Sequence, residues 1–183
     1  MVINKIISLC KAQKNIMLYK TGGVQWIGDG GAIYPLYGVP ELCEESAYLI
    51  FDIPEEKRAK FRFNEQDGLP AFISDADEVA GEIALTPLGI RLRWQGRELL
   101  PIEGEDLILF VDGKYLEPFR DLPNGVQLYA RRTAGGVPYI AVKDGMFLSG
   151  IIQAFGAESR ALGELLRDLG EWVYDHSPSD GEE

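Results

Sequence analysis

The sequence predicts an α+β protein with a mainly antiparallel sheet and a few helices, and three observations carry that expectation. Ile3, Ile6, Ile7 and Cys10 fall at i, i+3, i+4 and i+7, the apolar stripe of an amphipathic helix. Short β-rich segments alternate with glycine-containing turns along much of the remaining chain. Residues 4–34 and 113–147 run through one order of elements: a helical segment, Asn15 or Asn124, Leu18-Tyr19 or Leu128-Tyr129, a Gly-Gly-Val turn, Trp26-Ile27 or Tyr139-Ile140, and an Asp-Gly turn. Such self-similarity reads as an internal duplication of a helix-plus-three-strand unit.

The elements follow in order. The first helix covers about residues 3–14, and segments 16–20, 24–28 and 32–37 form a meander separated by Gly-containing turns. Tyr48–Ile53 is rich in β-formers and reads as a strand. The run from Pro54 to Lys60 reads as a short surface helix, with proline at its first position, acids in its first turn and bases in its last. Residues 64–81, rich in Asp, Glu and Gly and interrupted by Pro70, read as a loop joining lobes 1–63 and 82–155. Strands are expected at 83–85, 89–95, 98–102 and 107–111, with Ile90, Leu92 and Trp94 facing in and Arg91 and Arg93 facing out. Leu162, Leu165, Leu166, Leu169, Trp172 and Val173 predict a helix over 158–174, ending a single domain of residues 1–176; the acidic tail 177–183 reads as disordered.

Composition narrows the class. A chain of 183 residues with 46% apolar content is long enough to bury a core, and no apolar run approaches the roughly 20 residues a membrane helix needs. Lys5, Lys11 and Lys14 interrupt the apolar N-terminal segment, and the two cysteines, Cys10 and Cys43, are too few for a disulfide framework. A cytoplasmic protein with no membrane role is expected, and both cysteines read as small buried hydrophobes. The net charge of −11 opposes general affinity for nucleic acid, yet its distribution is uneven. Residues 1–28 and 113–143 together hold half of the 18 basic residues and 2 of the 29 acidic ones.

Chemistry-bearing patterns are sparse. The single histidine, His176, lies beside the acidic tail, which disfavours Ser-His-Asp, Cys-His and histidine metal sites. Asp75, Asp77 and Glu78 are the weak candidates for a hard cation or an acid-base pair, but they lack the spaced ligands of a calcium loop. Gly28-Asp29-Gly30-Gly31 is followed by strand residues, not by the helix that a phosphate cradle needs, so it reads as a hairpin turn. Gly113-Lys114 is followed by Tyr115 where a Walker motif needs Ser or Thr, and no cofactor is expected. Tyr19, Trp26, Tyr129 and Tyr139 read as core aromatics.

Phe110-Val111-Asp112-Gly113-Lys114-Tyr115-Leu116, a strand leading into a helix start, with returning strands at 125–129 and 137–142, resembles the repeating unit of DNA polymerase sliding clamps over about a third of the chain. In that family helices line a ring around duplex DNA and sheets form its outer face. The resemblance implies a non-enzymatic tethering factor that closes its ring by self-association. It turns Lys5, Lys11, Lys14, Lys114 and Arg120 toward nucleic acid. Lys20, Arg131 and Arg132 would add a phosphate-contacting rim. Pro118 departs from the pattern by interrupting the second helix. The alternative is a protein-interaction or structural module with no nucleic-acid role, and an enzyme using the acidic cluster is the third reading.

Overall fold

The apolar stripe at the N-terminus folds as α1 (Ile3–Gln13) and buries Ile6, Leu9 and Cys10. The computed structural model describes residues 2–105, 107–122, 125–155 and 164. Lys14 ends α1 in the left-handed region at φ 52°, and its N–H bonds back to the carbonyls of Cys10 and Lys11. Glycine or asparagine usually takes this position, because a Cβ is crowded there. The meander follows as β1 (Asn15–Thr21), β2 (Val24–Gly28) and β3 (Ala32–Leu36), with Tyr19 opposite Trp26 and Ile27 opposite Tyr34. Gly22 and Gly23 both have positive φ, as a two-residue turn between twisted strands requires.

Residues 48–53 correct the sequence reading, because they fall in and just after a helix, α2 (Glu44–Ile50). Ser46 closes its first turn by accepting the Cys43 N–H at 2.8 Å, and Glu44 and Glu45 favour its positive end. Ala47, Tyr48 and Phe51 then fall on one buried face. The short α3 (Glu55–Arg58) has Pro54 as its cap instead of its first residue. The expected loop 64–81 is also corrected at its start, since β4 (Arg62–Asp67) lies parallel to β1.

Past residues 68–82 come β5 (Ile83–Pro87), β6 (Leu92–Trp94), β7 (Arg97–Gly104) and β8 (Leu107–Asp112). A 3₁₀ helix (Gly113–Phe119) containing Pro118 leads to the second meander, β9 (Gln127–Arg132), β10 (Pro138–Asp144) and β11 (Phe147–Gln153). Ile90 and Trp94 do not face in: they are 50% and 36% exposed. Ile90 precedes the three-residue β6 at one end of the sheet, and of the expected inward trio only Leu92 joins a cluster, with Leu99 and Phe110.

Among the described residues the strands form one mostly antiparallel sheet in the order β4-β1-β2-β3-β11-β10-β9-β5-β7-β6, with β8 also paired to β7. The two meanders meet through their third strands, Ile33 opposite Ile151 and Ala32 opposite Ile152. The Phe155 N–H donates to Phe110 O at 2.7 Å and draws the chain beyond β11 against β8. The element order recurs, but the side-chain register does not. Tyr19 faces Trp26, whereas Tyr139 faces Arg131 and Tyr129 faces Ala141.

Alternation assigns the two sheet faces. Ile16 and Leu18 join the main core with α1, α2 and Phe119, while Tyr19, Trp26, Tyr139, Leu148 and Ile151 form a second cluster. Among the described residues no helix is long and apolar enough to cross a membrane. The helix expected at 158–174, apart from Glu164, the tail and His176 lie outside the described residues.

Cys10 is buried as expected, but Cys43 is exposed at the start of α2. Burial, with the nearby Asp29 charge adding to it, pushes the Cys10 thiol up to about 12, while hydrogen bonding to Ser46 holds the Cys43 thiol below its usual range. Near neutral pH a chromogenic disulfide reagent is therefore expected to modify Cys43 promptly and Cys10 only on unfolding. Prompt reaction at Cys10 in a Cys43→Ser variant would show that α1 lifts off the sheet in the native state.

Candidate functional site

Residues 68–82 contain no regular element, and they cross the second face of the sheet. Leu69 and Ile73 pack onto its apolar cluster. Strand alternation turns Arg131 and Lys143 into the protein beneath this crossing, where they are 2% and 5% exposed. Arg131 bonds to Glu82 at 2.9 Å and donates to the carbonyls of Ala76 and Asp77 at 2.8 and 2.9 Å. Lys143 meets the other oxygen of Glu82 and lies 4.2 Å from the centre of the Tyr129 ring. Burial alone would raise the Glu82 pKa, but the bonds from Lys143 and Arg131 hold it below the usual carboxylate range. Arg131 is therefore corrected from a nucleic-acid contact to the anchor of this crossing segment.

The anchored segment forms one wall of an apolar groove of about 330 Å³. Pro70, Phe72 and Ile73 stand on one side, Thr133, Val137 and Pro138 on the other, and the floor is Tyr19, Ile33, Tyr139 and Ile151. Phe72 and Val137 are each 56% exposed, so the rim is open and apolar. The core reading of Tyr19 and Tyr139 is right, and their buried rings also shape this floor. Phe72 was the available signal in the sequence, a large aromatic within an acidic segment.

The other acidic candidates serve the same segment. Asp75 accepts from the Thr21 hydroxyl at 3.2 Å, Asp77 accepts from the Leu148 N–H at 2.7 Å, and Glu78 is exposed. Among the described residues no three His, Cys, Asp or Glu side chains gather as a metal site.

The remaining candidate bases other than Lys14 are drawn to acids or carbonyls. Lys5 and Arg120 both lie beside Glu117, Lys114 beside Asp112, and Lys20 between Glu41 and Glu65. Lys11 donates to the Phe51 carbonyl at 2.9 Å, and Arg132, which is exposed, donates to Gly136 O at 3.0 Å.

Lys14 is different. It lines a polar cleft of about 500 Å³ together with Gln13, Asn15, Asp29, Lys60 and Arg62. The parallel pairing of β1 and β4 sets Asn15 beside Arg62, and the Arg62 N–H donates to Lys14 O at 2.9 Å. Lys60 belongs to the turn between α3 and β4. Asn15 donates to Asp29 O at 2.7 Å, and its Oδ1 accepts from no described residue. Lys60 was passed over in the sequence because bases at the end of the expected helix 54–60 are already accounted for by the helix dipole, and Arg62, alone just beyond it, carried no motif. Comparison with protein-family models, with curated proteins and with solved structures finds no match for this chain.

Proposed function

We propose that this is a non-enzymatic binding protein whose groove takes an apolar segment of a protein partner. The supporting observation is the pair of exposed apolar walls, Phe72 and Val137, over an apolar floor drawn from four strands. Burying an aromatic or aliphatic anchor between such walls is how small interfaces gain most of their affinity. Arg131 fixes the Phe72 wall before binding, which lowers the ordering entropy that association must overcome.

Clamp-like tethering of duplex DNA is the alternative, favoured by the recurrence of a helical element followed by a three-strand meander. Of its eight candidate bases, five (Lys5, Lys20, Lys114, Arg120 and Arg131) lie in ion pairs with acids, so little free positive potential is left on them. That places the groove first.

Selection from a random display library against the intact chain is expected to enrich peptides carrying an aromatic or large aliphatic anchor. Affinity for such a peptide, read by fluorescence polarisation, should fall roughly thirtyfold in Phe72→Ser, about 2 kcal/mol. Because Phe72 is largely exposed, this variant retains the fold. Peptides that bind Phe72→Ser and Val137→Ser as tightly as the parent would remove the groove from this role.

A further inference from the structure

We propose that the cleft between the end of α1 and the start of β4 binds a phosphate-bearing ligand, independently of the apolar groove. Lys14, Lys60 and Arg62 line it, and none of their side chains has an ion pair or hydrogen bond with a described residue. The one acid in its lining, Asp29, forms no ion pair with them. Asp29 is 7% exposed, with Oδ1 accepting from the N–H groups of Gly31 and Ala32 and Oδ2 from the Tyr115 hydroxyl.

A chain of net charge −11 thus keeps three unpaired cations around one concavity, while among the other described bases all but Lys57, Arg93 and Arg97 meet an acid or a carbonyl. Helix-end electrostatics favour bases near the end of α1 but act only within its last turn, and α3 is a single turn. Lys14 also holds a left-handed conformation that a Cβ disfavours, in a residue lining the cleft. Two ammonium groups and one guanidinium suit the oxygens of a phosphate, the ammoniums as point charges and the guanidinium as a two-pronged donor. At about 500 Å³ the open cleft admits a free polyphosphate or nucleotide, or the phosphates of a nucleic-acid strand.

The test is titration calorimetry on the full chain with pyrophosphate, ATP and a short DNA duplex as separate probes. At least one is expected to bind, with affinity that falls as salt rises and is roughly tenfold weaker in Lys60→Gln/Arg62→Gln. Binding of pyrophosphate or ATP assigns the cleft to a free phosphate compound. Binding of the duplex alone, with log K linear in log salt, assigns it to a nucleic-acid backbone. Lys14→Gly separates folding from binding, because φ 52° suits glycine: its melting temperature should hold or rise while affinity drops. Phe72→Ser should bind the probe unchanged. No binding of any probe at millimolar concentration, or unaltered binding in Lys60→Gln/Arg62→Gln, overturns the proposal.

Discussion

Glu82→Gln is expected to destabilise the protein by about 3–5 kcal/mol, the usual cost of removing one partner from a buried ion pair. In a domain of this size that lowers the melting temperature by roughly 6–20 °C. Among the described residues Glu82 is the one acid paired with two nearly inaccessible cations, with Arg131 on one carboxylate oxygen and Lys143 on the other. Glutamine keeps the shape but turns an N–H₂ toward one of those cations and leaves two buried positive charges facing each other. Arg131→Met should cost less in charge terms, because Glu82 and Lys143 still neutralise one another. Its main loss is the donors to Ala76 O and Asp77 O, which releases the crossing segment. Glu82→Gln/Lys143→Met should recover part of the Glu82→Gln loss, and a double-mutant cycle reads the coupling.

The same carboxylate sets a pH dependence. Its folded pKa lies below the ordinary value, so its stabilisation is fully present above the unfolded-state pKa and is lost as pH falls through the folded one. The gap in stability between the parent chain and Glu82→Gln should therefore be constant near neutrality and close in acid. Chemical denaturation along a pH series checks this. A gap that stays constant into strong acid would mean that Glu82 is not the titrating group.

What the sequence made legible was local. The period of Ile3, Ile6, Ile7 and Cys10 set α1, and Gly22-Gly23 and Asp29-Gly30 marked turns between the first three strands. The α2 helix was misread because Tyr48, Ile50, Phe51 and Ile53 are β-formers, and its start rests on Cys43 and Ser46, a weak local signal. The parallel pairing of β4 to β1 spans a large sequence separation and leaves no periodic trace. The groove was hidden for the same reason. Arg131 reaches carbonyls more than 50 residues away, and the two walls come from distant segments. Strand alternation did hold the clue, because two consecutive arginines in β9 cannot both face solvent on one side.

Gly28→Ala is expected to cost more than about 4 kcal/mol, the range reserved for a small set of severe steric and electrostatic faults. A Cβ at residue 28 would lie 1.7 Å from Ala32 O, 2.7 Å from Ala32 C and 2.9 Å from Ile33 Cα, all backbone atoms that no rotamer change can move. The β3 strand cannot retreat freely, since Ala32 and Ile33 are the residues that pair with Ile152 and Ile151 across the join between the two meanders. Relief requires opening the end of β2 against β3, including the 3.3 Å bond from Asp29 N–H to Ala32 O that closes the turn. Gly30→Ala is the matched control. Its Cβ would meet only Asn15 Nδ2 at 3.3 Å, leaving mainly the strain of φ +94°. Denaturant midpoints should therefore rank parent, Gly30→Ala and Gly28→Ala in falling order, and a Gly28→Ala midpoint equal to that of Gly30→Ala would show that the strand join yields. The join matters to function because this one turn borders both cavities: Asp29 lines the cationic cleft, and Gly30 and Gly31 line the apolar groove. A loosened turn should weaken peptide and phosphate binding together, whereas Phe72→Ser and Lys60→Gln/Arg62→Gln should each affect one ligand alone.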